Sequence, residues 1–282
     1  MPLLPVALVL ATLLGPAPGT PAPGEASGKF ADKSWTVPIS GAYAFRGKTG
    51  GFGDDEVIRV AVSNAKFLPD AIDAHYDRQH AINTYFADDE TKVVYFEFDD
   101  SGKYRGLSYY FESGVGCGFC YDSKVKSTVR AANGRLKGDL SFKDDSREFQ
   151  ISLDVPIPAK TWGEPLPKDG GAPGKAFLAY HDALEKRDKK ALYAIADTDV
   201  KARYQKYEKQ GKLDGYFDYL WHDEHTELKT IRINGGFVNG DRAVILFDGS
   251  GALIDHLYGE ALLRRENGAW LVHEDMVSVG TR

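Results

Sequence analysis

Residues 239–279 read NGDRAVILFDGSGALIDHLYGEALLRRENGAWLVHEDMVSV. Asn239-Gly240 and Asn267-Gly268 punctuate this stretch, with Gly249-Ser250-Gly251 between them. Asn-Gly supplies the positive φ that a two-residue hairpin turn demands. Arg242 to Phe247, His256 to Arg265 and Ala269 to Val279 lie between and beyond the turns, rich in apolar residues. That pattern predicts antiparallel strands joined by hairpins, and Glu227 to Ile233 predicts one more upstream.

Further upstream the hydrophobic period changes. Gly174 to Arg187 places Phe177, Tyr180 or His181, and Leu184 on one helical face. Asp188 is placed to cap a short helix running to Ala196. Val200 to Gln210 and Leu213 to Asp223 predict two more helices. Helices followed by a run of antiparallel strands imply an α+β layer, with the helices on one face of the sheet.

Pro156, Pro158, Pro165, Pro167 and Pro173 interrupt the chain, with Gly163, Gly170, Gly171 and Gly174 among them. Proline lacks a donor and fixes φ, so this stretch predicts a connector that continues neither helix nor ladder. Before it, the chain reads as β. Val57 to Val62 and Val93 to Phe98 are apolar strand patterns. Asp99 to Lys103 turns the second into Tyr104 to Phe111, and Asn133-Gly134 joins Ser127–Ala132 to Arg135–Phe142. Phe149 to Val155 alternates apolar and polar residues, as a half-buried strand does. Pro69 to Ile82 alone has helical spacing, with Ile72 and Tyr76 one turn apart.

The expected fold class is therefore α+β. It comprises an N-terminal antiparallel β-rich domain with one helix, a twisted sandwich or open barrel, and C-terminal helices packed on a curved antiparallel sheet. The expected domains are residues 29–155 and 175–282, with a Pro/Gly-rich linker over 156–174.

The first residues predict export. Leu3 to Leu14 is an apolar run broken only by Pro5 and Thr12. It is shorter than the ~20 residues a membrane-spanning helix needs. Small residues, Gly and Pro follow, and Gly24-Glu25-Ala26 offers a small-x-small cleavage site. Residues 1–26 are thus expected to be a signal peptide, although no Lys or Arg precedes the run. The expected location is periplasmic or secreted. A net charge of -6 makes a nucleic-acid partner unexpected. No later segment is apolar enough to predict a membrane span.

The final ~110 residues carry a resemblance. Asn239-Gly240-Asp241-Arg242-Ala243-Val244 enters one long strand, and Arg264-Arg265-Glu266-Asn267-Gly268-Ala269-Trp270 turns into the last. Preceded by several helices, this pattern resembles the nuclear transport factor 2-like (SnoaL-like, cystatin-like cone) superfamily. The resemblance implies a cone-shaped interior, used by isomerases, cyclases and dehydratases and by many binding or scaffolding members. In enzymes of that kind an Asp, His or Tyr projects into an apolar pocket. Here Tyr180, His181, Tyr216, Tyr219, His222, Asp255, His256 and Tyr258 are the polar groups expected near such an interior.

Three other features could carry chemistry. Cys117-Gly118-Phe119-Cys120 can be a structural disulfide, a redox dithiol or part of a metal site. The preceding Ser113-Gly114-Val115-Gly116 is loop-like, and no helix pattern follows to lower a thiol pKa, which favours the disulfide. Phe119 at the tip of that loop is a candidate binding anchor. His222 and His225 are three residues apart, a spacing that one metal ion could bridge on a helix. His75 and His80, five apart, do not share a helical face in that way. No nucleophile motif or phosphate loop is present, so the expected function is binding of a small apolar ligand or an envelope protein. No cofactor is expected. A homodimer through the C-terminal sheet is a further expectation. The alternatives are an isomerase, hydratase or lyase using the C-terminal pocket, and a thiol-disulfide protein using the two cysteines.

Overall fold

The computed structural model describes residues 25–32, 35–49, 55–86, 90–110, 116–158, 162–222, 228–251 and 254–279. The chain forms two compact units. Unit 1 holds Met1–Phe67 and Phe86–Ala159; unit 2 holds Leu68–Tyr85 and Lys160–Arg282.

Unit 1 is built from strands β1 (Glu25–Asp32), β2 (Trp35–Ile39), β3 (Gly41–Lys48), β4 (Glu56–Ser63), β5 (Val93–Phe98), β6 (Tyr104–Tyr110), β7 (Gly116–Cys120), β8 (Lys126–Ser127), β9 (Arg130–Ala132), β10 (Arg135–Lys143) and β11 (Arg147–Pro156). One antiparallel sheet has the order β2-β1-β11-β10-β8, with β9 also on β10. The other runs β3-β4-β5-β6-β7. Their inner faces share one core. Phe30 stacks on Phe149 at 5.7 Å and meets Phe96 of the opposite sheet edge-on at 6.4 Å. Asn133 and Gly134 have φ of 51° and 69°, so the predicted hairpin turn is formed by the residues that adopt it cheaply. The strand expected over Ser127–Ala132 is broken into β8 and β9. A Cβ on Gly138 would meet the backbone of Val129 at 2.6 Å, so the chain crosses that glycine at the break.

Unit 2 begins with an excursion from the middle of unit 1. The helix expected over Pro69–Ile82 is two helices, α1 (Pro69–Asp73) and α2 (Arg78–Phe86), separated at His75–Asp77. The rest follows as β12 (Glu164–Leu166), α3 (Gly171–Glu185), α4 (Lys189–Ile195), α5 (Thr198–Lys209), α6 (Leu213–His222), β13 (Leu228–Asn239), β14 (Arg242–Gly251), β15 (Leu257–Glu266) and β16 (Ala269–Val279). The sheet order is β12-β13-β14-β15-β16, all antiparallel. The Pro/Gly stretch is not only a connector. Glu164–Leu166 pairs with β13 as an edge strand, a place where Pro165 is tolerated, and α3 starts at Gly171.

The α+β expectation is corrected. Among the described residues strand accounts for 52% and helix for 23%, in three antiparallel sheets, so the fold is mainly β. The reason is the length of the ladders. Strands β13–β16 run 10–12 residues each, and unit 1 devotes two full sheets to its core.

Local signals hold where the sequence placed them. Asp188 caps α4, its carboxylate accepting the Ala191 N–H at 3.0 Å. Asp188→Ala should lower the stability of unit 2 by about 1 kcal/mol in urea unfolding, and Asp188→Asn should restore most of it.

Candidate functional site

Cross-strand pairing sorts the unit 2 sheet into two faces, because residues opposite each other point the same way. Ala243, Ile245 and Phe247 of β14, with Ala261 and Leu263 of β15, join the core beneath the helices. Helix α3 lies against β14, β15 and β16 on this side. Val244, Leu262, Glu260 and Met276 turn to the other face.

The last strand changes phase. Leu263 pairs with Val272, but Leu262 pairs with Glu274, so His273 is an inserted bulge residue. Unbroken alternation from Val272 would send Glu274 and Met276 inward. The bulge instead aligns Asp275 with Ala261 and Val277 with Gly259, on the helix-covered face.

Asp275 meets two side chains of α3 there. The Tyr180 hydroxyl donates to Asp275 Oδ1 at 3.4 Å, and His181 Nε2 lies 3.9 Å from Oδ2. Burial pushes the Asp275 carboxyl up to about 6, against the weak help of the Tyr180 hydrogen bond. Water still reaches 23% of its side chain. Burial alone pulls His181 down to about 4, so the ring is neutral at pH 7. His181 Nε2 is buried with no hydrogen-bond partner among the described residues. Burial and the Asp275 charge raise the Tyr180 phenol well above its ordinary value. Tyr204 and Tyr216 are raised by burial too, with Asp275 among the charges acting on both. The setting is otherwise apolar: Phe177 packs on Phe247 at 4.8 Å and edge-on to His181 at 5.0 Å. A carboxyl and a neutral imidazole, both desolvated and not bonded to each other, can accept or relay a proton from a third group.

A second polar cluster lies at the bulge itself. Asp197 Oδ1 caps α5 by accepting the Val200 N–H at 2.9 Å, and its Oδ2 accepts from His273 Nδ1 at 2.7 Å. Burial works against the Asp197 carboxylate, yet the His273 and Val200 hydrogen bonds and the Arg264 charge hold it below its usual range. Asp197, Asp199 and His273 could together reach a metal ion. Their cation is already present. Arg264 pairs with Asp199, lies 3.6 Å from Asp197 and reaches His273 Nε2 at 3.3 Å. This closed chain fastens α5 to the last strand.

The opposite face carries a third. Glu260 is 2% exposed. Its Oε1 accepts from His75 Nδ1 at 2.6 Å, and its Oε2 accepts the N–H groups of Tyr76 and Asp77 at 3.0 and 2.8 Å. His75 Nε2 lies 3.9 Å from Glu274, and Tyr76 stacks on Phe237 at 5.8 Å. This group seats the break between α1 and α2 on the sheet, and its geometry is that of an anchor.

The residues proposed from sequence divide accordingly. Tyr180, His181 and Tyr216 stand around Asp275. Asp255 and His256 are exposed, in the loop between β14 and β15. Tyr258 pairs with Asp248 and Ser278, on the face away from α3. His225 and the side chains of Tyr219 and His222 lie outside the described residues. Cys117 and Cys120 sit at disulfide distance, their Cα atoms 6.0 Å apart, and Phe119 between them is 38% exposed. Asp275 itself had no sequence signal, because strand alternation points it the wrong way. Among the described residues no helix is long and apolar enough to cross a membrane.

No family model matches the chain, and no curated protein is similar to it.

Proposed function

We propose that unit 2 binds a small, mostly apolar molecule through a polar group seated between Asp275 and His181. The observation that carries this is the unpartnered, buried Nε2 of His181, 3.9 Å from a desolvated carboxyl that is itself only weakly bonded. Buried polar atoms are normally satisfied, and an orphan beside a second under-bonded group marks a place for a ligand atom. A hydroxyl or N–H of the ligand would donate to Asp275 and meet His181, while aromatic and aliphatic side chains hold its body. The resemblance to SnoaL-like proteins, which use such an interior, supports the same reading. Export is part of the proposal: a cysteine pair at disulfide distance suits an oxidising compartment.

A second reading rests on the same carboxyl. With its pKa near 6, Asp275 is mostly ionised at pH 7 yet basic enough to remove a proton from an activated C–H or O–H group. This is the isomerase, hydratase or lyase alternative.

Both are tested by screening the whole chain against small hydroxy- and oxo-compounds, with ligand-observed NMR for binding and product analysis for turnover. A hit should weaken at least tenfold in Asp275→Asn and in His181→Phe. Turnover that falls at least a hundredfold in Asp275→Asn and rises with pH through about 6 would select the enzyme. Hits indifferent to both substitutions would remove this site from either role.

A further inference from the structure

We propose a separate ligand site in unit 1, for a small molecule that carries a ring and a single carboxylate. At the end of the β3-β4-β5-β6-β7 sheet, where its hairpins turn, lies a cleft of about 380 Å³. Its walls include Asp55, Lys103, Arg105, Phe119 and Tyr121. The volume is within the range of small-molecule sites.

Two irregularities in the ladders shape this cleft. Glu97 pairs with Gly106 and Phe98 with Tyr104, so Arg105 is an inserted bulge residue. Leu107 pairs with Cys120 and Tyr109 with Cys117, which places another irregularity at Gly118-Phe119, inside the ring closed by the cysteines. Bulges re-aim side chains, and here they fall on a cation and an aromatic ring of the same cleft.

The rings are presented, not packed away. Phe119 lies over Gly106, where a Cβ would be only 2.5 Å from the ring. The Cε2–Cζ edge of Phe119 is thus committed to the strand, and the side chain remains 38% exposed. Tyr121 stacks on Tyr104 at 6.1 Å and is 60% exposed. Both rings line one cleft, so they form a contiguous patch rather than scattered surface residues. The Tyr104 hydroxyl beneath them is buried with no hydrogen-bond partner among the described residues.

Charge selects the ligand class. Lys103 pairs with no carboxylate among the described residues, and Arg105 reaches Asp55 only at 3.9 Å. The lining holds two cations and one carboxylate, and Arg105 also interacts with the Asp99 charge, so the site has room for no more than one negative charge. The chain's net charge of -6 and Asp55 itself oppose a polyanion such as nucleic acid. A bare anion would make no use of the rings, and an apolar ligand none of the cations. An acidic sugar or an aromatic acid meets all these conditions, with its carboxylate at Lys103 and Arg105 and its ring on Phe119 and Tyr121.

The test uses the whole chain with three probes: the methyl glycoside of glucuronic acid, 4-hydroxybenzoate and the neutral methyl glycoside of glucose. Saturation-transfer NMR identifies the contacting protons, and calorimetry gives the affinity. One of the two acidic probes should bind at least tenfold more tightly than the neutral sugar and weaken as salt rises. Which one binds identifies the source. Lys103→Ala with Arg105→Ala should weaken it at least tenfold, and so should Tyr121→Ala, a substitution at an exposed position that folding tolerates. Phe119→Ala should do the same with the unfolding midpoint unchanged. Binding of neither acid, or binding indifferent to the Lys103, Arg105 and Tyr121 substitutions, would overturn the proposal.

Discussion

Glu260→Ala is expected to destabilise unit 2 by about 3–5 kcal/mol, because it leaves three donors without their acceptor at about 1–3 kcal/mol each. The glutamate is almost fully buried on the face of the sheet away from α3, and it serves three donors at once. Alanine would strip the Tyr76 and Asp77 N–H groups and His75 Nδ1 of this acceptor, in a place where water does not replace it. The loss should fall first on Leu68–Tyr85, since this is where the excursion is bonded to β15. Urea unfolding followed by tryptophan fluorescence would read the effect, because Trp162 and Trp270 both belong to unit 2. Trypsin would read it locally. Arg78 is 5% exposed, paired with Asp73 at 3.0 Å and seated on Trp162, and it should become an early cleavage site only in the variant. Glu260→Gln keeps one carbonyl oxygen for the backbone donors and should lose about half as much. An unchanged midpoint with Arg78 still protected would show that the aromatic stack of Tyr76, Trp162 and Phe237 holds the excursion without the carboxylate.

Asp275→Asn is expected to act in the opposite direction on stability while removing function. A carboxyl raised from 3.8 to about 6 by burial is a group whose charge opposes folding. At about 1.4 kcal/mol per pH unit, and reduced for the water that reaches the side chain, the penalty is about 2 kcal/mol at pH 7. The sign follows from protonation. Below pH 3.8 the carboxyl is neutral in the folded and the unfolded chain, and no penalty exists. The folded chain loses stability from this group as the pH rises through about 6, and the full penalty is present at 7. His181, lowered to about 4, has the reverse slope over an overlapping interval, but it is present in both proteins and largely cancels in the comparison. Asp275→Asn should therefore be more stable than the parent at pH 7 and converge with it near pH 4, in parallel urea titrations at the two pH values. A variant less stable at pH 7 would mean that the ionised carboxylate has stabilising partners in solution, contrary to a desolvated site. Stability gained where binding is lost is the usual mark of a strained functional position.

The contrast between these two carboxyls shows what sequence patterns can carry. Glu260 and Asp275 both lie in apolar-rich strands, and alternation treats each as an outward polar position. Glu260 does point away from the helices, yet it is buried, because a segment about 180 residues earlier in the chain covers it. Asp275 points inward because a bulge at His273 reverses the phase of the strand. A period or a propensity registers neither fact: one depends on a distant segment, the other on an extra residue in a ladder. Tyr180 and His181, by contrast, were legible, since a helix period places them on the face that carries Phe177.

Local chemistry was determined by the sequence alone. The Asn133-Gly134 and Asn267-Gly268 hairpins, the Asp188 cap, the strands over Val57–Val62, Val93–Phe98 and Phe149–Val155 and the order of helices before strands in the second half all follow from φ preferences, side-chain capping and hydrophobic period. Those forces act over a few residues. The tertiary structure alone decided the balance toward β, the assignment of Leu68–Tyr85 to unit 2, the edge pairing of Glu164–Leu166, and the meeting of Asp275 with His181. Each of these depends on which distant surfaces bury one another and where a ladder takes an extra residue, and such free energies belong to the packed chain rather than to any segment of it.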